Sequence, residues 1–379
     1  MDHNDNPASP HIAYFISAHG FGHAARAAAI MAAIQARNPL TQFEIFTQVP
    51  EWFFRQSLTG PYSYHSNSID VGLVQKNTFE EDLLLTIARL NELLPFRDEF
   101  VTHLARQVGD ARCSLVLCDI APLGIAVARA CGIPSVLIEN FTWDWIYQGY
   151  VQSEPRLAPH IQYLADAFES ADHHIQTEPV CRLTRADFVT PPVSRAARTP
   201  RPPIRTRLGI EENTPLVLIT LGGVPGNYPF LPALQRYPGV CFMIPGLTDT
   251  WTHEGNLILL PHDSEMYHPD LIGAADAVIC KLGYSTVAEV YQAGVPMGYI
   301  ARTHFAESGT LRRFAAEHMP GLEITERDFA SGAWLDDLPR LLSLSPVLRR
   351  EPNGAERIAD FAMTHLDASI PWIRTRGKP

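Results

Sequence analysis

Short, nearly uninterrupted apolar runs recur along this chain, each closed by turn-forming residues and followed by a stretch of helical spacing. Residues 11–17 form the first run; a glycine turn and the alanine-rich segment 24–36 follow it, and a second run comes at 43–47. The alternation returns at 114–118 with 124–130, and again at 135–139. Runs that are apolar at successive positions suit strands buried on both faces, and strands alternating with helices imply a parallel sheet covered by those helices. Further runs at 216–221, 240–244, 257–260, 277–280 and 297–300 predict a second α/β unit. At 355–366 the spacing of Ile358, Phe361, Ala362 and His365 predicts a closing helix.

The pattern breaks between 191 and 207, where Pro191, Pro192, Pro200, Pro202 and Pro203 are interleaved with Arg195, Arg198, Arg201, Arg205 and Arg207. Such a segment reads as an extended, solvated connector, and its arginines receive no catalytic role. The expected division is a first domain over 1–194, a linker over 195–208, a second domain over 209–354 and a helix within 355–379 that returns to the first domain.

Composition narrows the class. A chain of 379 residues with 46% hydrophobic and 19% charged residues can bury two sizeable cores. A formal charge of −11 argues against a general nucleic-acid binder, which presents a basic face. The six cysteines form no CxxC pair and mostly sit inside apolar runs, as reduced core residues do. No stretch approaches the roughly 20 apolar residues of a membrane span, and the N-terminus does not read as a secretory signal. A cytoplasmic location is expected.

Chemistry concentrates after the run 277–280. Lys281 and Leu282 precede Gly283, Tyr284 and Ser285, and Thr286 stands three residues before Glu289, the spacing of a capping box. A helix starting near Thr286 would present unpaired N–H groups carrying about half a positive charge, with Lys281 beside them: a seat for a diphosphate. Gly294 and Pro296 then close the helix and open the next strand. Gly222 and Gly223, after the first strand of the second unit, would let the backbone approach the phosphates, or simply end the strand.

His19, Gly20, Gly22 and His23 form a second glycine turn, which formally reads G-x-G-x-x-A between strand and helix. A nicotinamide enzyme would want an acidic residue at the end of the next strand, where the chain has Thr47 and Gln48. His23 suits a different chemistry. It opens a helix whose positive end calls for an anion beside a charged imidazole, and Asp119, at the end of another strand, would meet it at the same rim of a parallel sheet. The alternative is a helix-end or surface histidine.

Gly283, Thr286, Glu289, Gly294 and Pro296 resemble the donor signature of GT-B glycosyltransferases, in which the glutamate holds the ribose hydroxyls. Gly22 and His23, with Asp119 followed by Gly132-Ile-Pro-Ser135, resemble the dyad of inverting UDP-glycosyltransferases: histidine as base, aspartate as its orienting partner. Residues 70–75, 140–147 and 302–311 resemble the glycosyltransferase-like portion of plant L-arabinokinases and its stand-alone bacterial relatives. Asn140, Trp143 and Asp144 would then line the acceptor side, and the aromatic set Phe141, Trp143, Trp145 and Tyr147 would be either core or a platform for a sugar face. Arg302 would neutralise phosphate or carboxylate charge, or lie at the surface. Lys281 stands where plant enzymes have a phosphate-contacting histidine, and Glu307-Ser308 where they read sugar hydroxyls, which leaves the sugar open.

The resemblance implies two Rossmann-like α/β domains of the GT-B class with parallel sheets facing a central cleft. The function it implies is metal-independent, inverting transfer from a nucleotide-diphosphate sugar, UDP-linked by preference, to an acceptor hydroxyl. The nucleotide-sugar is a co-substrate, and no further cofactor is expected. His173-His174 and the pair His262 and His268 lack the spacing of a metal site. No glycine-rich kinase motif is present, so phosphoryl transfer is not expected. The open alternatives are a non-catalytic sugar-nucleotide sensor and a nonhydrolysing sugar-nucleotide epimerase.

Overall fold

The computed structural model describes residues 9–76, 80–222 and 228–368. Strands β1 (His11–Ile16), β2 (Gln42–Thr47), β3 (Tyr62–Ser66), β4 (Leu115–Asp119), β5 (Ser135–Glu139), β6 (His173–Thr177) and β7 (Phe188–Thr190) form one sheet in the order β3-β2-β1-β4-β5-β6-β7. All its neighbours run parallel. Strands β8 (Leu216–Thr220), β9 (Cys241–Pro245), β10 (Thr252–Glu254), β11 (Leu257–Leu260), β12 (Ala277–Lys281), β13 (Met297–Ile300) and β14 (Gly321–Glu323) form the second, ordered β10-β11-β9-β8-β12-β13-β14. Only the β10–β11 pair is antiparallel.

Both sheets are covered on both sides, which is why the runs are apolar at odd and even positions alike. Ile12, Tyr14 and Ile16 enter one core cluster while Ala13 and Phe15 enter the other. In the second sheet Leu216 and Leu218 part from Val217 and Ile219 in the same way. Strand order reverses beside β1, which pairs with β2 and β4, and beside β8, which pairs with β9 and β12. In open α/β sheets the crevice for ligands lies at such switch points, outside the carboxyl ends of the strands. The turns 17–22 and 282–283 follow those ends.

The closing helix, Gly354–Ala368, lies on the Gly22–Arg37 helix of the first sheet. Ala355, Ile358, Ala359, Ala362 and Leu366 complete that core, and Arg37 Nε donates to Asp360 Oδ1 at 2.6 Å.

The segment 195–208 is not the extended, solvated connector its composition suggested. Residues Arg201–Leu208 form a helix with proline in its first turn, where a missing N–H costs nothing, and Gly209 ends it at φ 71°. Arg205 is 1% exposed and donates to the carbonyls of Ala274 and Glu211. Arg195 is buried too, for a reason that belongs to the site.

Candidate active site

The Gly22–Arg37 helix starts where β1 ends and the Tyr284–Ala293 helix starts where β12 ends, so both present their N-termini to the space between the sheets. A cavity of about 100 Å³ opens there. From the first sheet's side it is lined by His19, Gly20, Gly22 and His23, with Phe141 and Gln75. From the second come Gly222, Lys281, Leu282, Gly283, Tyr284, Ser285, Thr286, Arg302 and Glu307. Gly223 lies outside the described residues.

Beneath this floor, Asp119 is fully buried and its Oδ1 stands 2.9 Å from His23 Nδ1. A carboxylate accepts only, so Nδ1 carries a proton, and in the neutral ring the free lone pair is then the one on Nε2. Arg26, one turn along the helix, donates from Nε to Asp119 Oδ2 at 2.7 Å and from Nη2 to Oδ1 at 2.6 Å. Burial raises the carboxyl's pKa, but Arg26 and then the His23 hydrogen bond outweigh it and hold Asp119 below the usual carboxylate range. His19 is a poor rival for the base: burial, with the charges of Arg302, His23 and Lys281, holds its pKa well below the ordinary value. Its Nδ1 also accepts the Leu73 N–H at 3.4 Å, which puts its proton on Nε2.

Across the cavity, Gly283 is the residue before the Tyr284–Ala293 helix and no side chain caps that end, so its first N–H groups are unclaimed by any capping side chain. Lys281 stands beside them. Burial first, and then the neighbouring Arg302, lower its pKa to about 8, against the opposing pull of Glu307 and Glu81. Arg302 is 6% exposed, stacked on Phe305 with its guanidinium carbon 3.5 Å from the ring centre, and its Nε and Nη1 lack hydrogen-bond partners.

The capping box is not formed. The helix begins at Tyr284 rather than near Thr286, so Glu289 lies in its second turn, beyond reach of the first N–H groups. Glu289 instead accepts from Arg195 Nε at 2.8 Å and faces His268 Nδ1 at 3.0 Å, so the supposed solvated linker arginine neutralises it. Together these residues line a second cavity of about 80 Å³, reached past Gly222, Ser285 and Thr286 and walled by Phe21, Trp52 and Phe53 of the first half.

Three acceptor-side assignments fare differently from the sequence reading. Trp143 is 1% exposed and spends its indole N–H on Asp70 at 3.0 Å, so it is core behind the cleft rather than a platform. Asp144 faces away, into a separate cavity of about 750 Å³, with Arg182 at 3.4 Å. Asn140 is fully buried and joins Arg26 to Glu307 instead of lining the cavity. Arg26 was missed, although the sequence held a signal: it is the lone charge in 24–34 and sits three residues after His23, on the same helix face. Arg195 had no local signal. Among the described residues, no group of three or more His, Cys, Asp or Glu side chains is arranged to hold a metal ion, and no helix is long and apolar enough to cross a membrane.

Similar folds are known. Medicago truncatula UGT71G1 complexed with UDP-glucose aligns with a TM-score of 0.62 at 12% identity, covering 96% of this chain and 99% of that one. CalG4, the calicheamicin glycosyltransferase, aligns at 0.59 and 15% identity, covering 97% and 100%. This is the GT-B fold. In sequence, Arabidopsis thaliana L-arabinokinase is 28% identical over 366 residues, 94% of this GT-B chain but only 35% of that protein. The chain thus spans about a third of the length of that relative. The UDP-N-acetylglucosamine–N-acetylmuramyl-(pentapeptide) pyrophosphoryl-undecaprenol N-acetylglucosamine transferase of Desulforudis audaxviator is 32% identical over 119 residues, 26% of this chain and 31% of that one. No protein-family model matches the chain.

Proposed function

We propose that this GT-B protein is a glycosyltransferase that moves a sugar from a nucleotide diphosphate, UDP-linked by preference, to an acceptor hydroxyl with inversion at the anomeric carbon. The observation that carries the reading is one cavity with His23 backed by Asp119 on one wall and Lys281 beside an open helix N-terminus on the other. His23 Nε2 takes the acceptor proton as the acceptor oxygen bonds to the anomeric carbon. The bond from that carbon to the diphosphate oxygen breaks, and its electron pair leaves with the diphosphate, where Lys281 and the helix N–H groups receive the charge. Those groups supply the electrostatic stabilisation that a metal gives in other transferases, so the proposed step is metal-independent. The nucleoside then falls in the adjoining cavity with Glu289. The preference for UDP is supported by a neighbour bound to UDP-glucose and by a relative whose name gives UDP-N-acetylglucosamine.

The test is release of UDP from a panel of UDP-sugars, with and without candidate hydroxyl acceptors, read by NMR of the anomeric proton. Donor consumed only when acceptor is present, with an inverted anomeric linkage in the product, is expected. Binding without turnover across the panel would instead identify a sensor, and acceptor-free conversion of the donor sugar an epimerase.

A further inference from the structure

Arg26 and Arg205 are the largest charged side chains sealed inside the described part of the molecule, each 1% exposed, and of the two only Arg26 borders the candidate base. Its forked contact with both oxygens of Asp119 removes the carboxylate's freedom to rotate and aims Oδ1 at His23 Nδ1. A second contact runs the other way. Arg26 Nη1 donates to Asn140 Oδ1 at 2.7 Å and, more weakly, to Thr177 Oγ1 at 3.3 Å. Asn140 Nδ2 donates to Glu307 Oε1 at 2.7 Å. Glu307 belongs to the Ala306–His318 helix, which follows β13 in the second sheet. Glu307, Asn140, Arg26, Asp119 and His23 therefore form one continuous chain from the second half of the molecule to the base, with no member more than 6% exposed.

The chemistry gives this chain a direction. Guanidinium can only donate, so the Asn140 amide must turn its oxygen to Arg26, and its NH2 then requires an acceptor on the far side. The Glu307 carboxylate is that acceptor, and it comes from the opposite half. With Glu307 withdrawn, the Asn140 NH2 is buried without a partner, which no buried amide tolerates cheaply. Tyr284, first residue of the helix beside the anion seat, closes the other side of Arg26, its ring centre 4.8 Å from the guanidinium carbon.

We infer that Arg26 and Asn140 are positioning residues that couple docking of the donor half to the orientation of His23, so that Nε2 is presented as a free base only when Glu307 is seated on Asn140. The inference rests on the reading of His23 as the base. Glu307 enters through its carboxylate oxygen and Asn140 through its amide; neither exchanges a proton.

The experiment uses the full chain labelled with 15N-histidine, with the His23 ring signals assigned by difference from His23→Gln. In the wild type with UDP, His23 is expected as the Nδ1-protonated tautomer. Asn140→Ala should shift it to a mixture of tautomers while UDP affinity by calorimetry stays within about twofold. Arg26→Lys keeps the charge but loses the fork, and should do the same. An unchanged tautomer in folded Asn140→Ala protein overturns the inference, even if Arg26→Lys does not fold. In turnover, Asn140→Ala should lower kcat by roughly 2- to 30-fold, the range of energetic coupling through such networks, at constant donor KM. A KM effect alone also overturns it. If the wild type transfers no sugar, the proposed function fails, yet the tautomer measurement still decides this coupling.

Discussion

Lys281 makes donor binding pH-dependent in a direction opposite to its effect on the fold. In the free protein its pKa is lowered to about 8 by burial and by Arg302. A bound diphosphate supplies the missing counter-charge and draws the ammonium back toward its ordinary value of 10.5. Between those two values the complex holds a proton that the free protein lacks, so affinity must fall as pH rises. Raising the pH from 7 to 9.5 leaves about 3% of the free lysine charged and should weaken UDP-glucose binding by roughly 30-fold, or about 2 kcal/mol. Calorimetry in two buffers of different ionisation enthalpy should register uptake of nearly one proton near pH 9. The fold responds with the other sign. The unfolded lysine binds its proton up to pH 10.5 and the folded one only to about 8, so the unfolded chain is the more protonated state in that window. Stability of the unliganded protein, taken as the difference from Lys281→Met so that other groups cancel, should therefore rise across it. Lys281→Met should bind UDP-glucose weakly and without this slope. A pH-independent affinity in the wild type, or the same slope in Lys281→Met, refutes the placement of Lys281 against the diphosphate.

His23→Ala should lower transfer by about two to four orders of magnitude, the usual worth of a general base, with UDP affinity by calorimetry unchanged; activity retained in that variant would pass the role to another group. Glu289→Gln strands Arg195 as an unpaired buried cation, so urea denaturation should show a loss of about 3–5 kcal/mol as well as weaker UDP binding, and wild-type stability would mean that the pair contributes nothing. Gly294 ends the Tyr284–Ala293 helix at φ 68°, and a Cβ placed there would overlap the Val347 carbonyl oxygen. Gly294→Ala should cost at least about 1 kcal/mol in backbone strain alone, read as a lower Tm, with His23 and Lys281 chemistry otherwise intact.

Local signals were legible where one element carries them. β5, β11 and β13 fall on the predicted runs because strands covered on both faces must be apolar throughout, whichever partners they find. His23 and Asp119 were legible as a pair because carboxyl ends of parallel strands share a rim, a rule that needs no coordinates. The helix start near Lys281 was misplaced by two residues, since Thr286 and Glu289 match a capping box in spacing whether or not the chain uses them that way.

What the chain alone determined, then, was the alternation that makes two parallel sheets and the glycine turns at their switch points, because hydrophobic period and turn chemistry act within a few residues. Only the tertiary structure decided which charges meet. Glu289 takes Arg195 from 94 positions away, and Arg26 reaches Asp119 from 93, Asn140 from 114 and Thr177 from 151. A buried ion demands a partner but does not say which one, and the packing of helices on sheets chooses it.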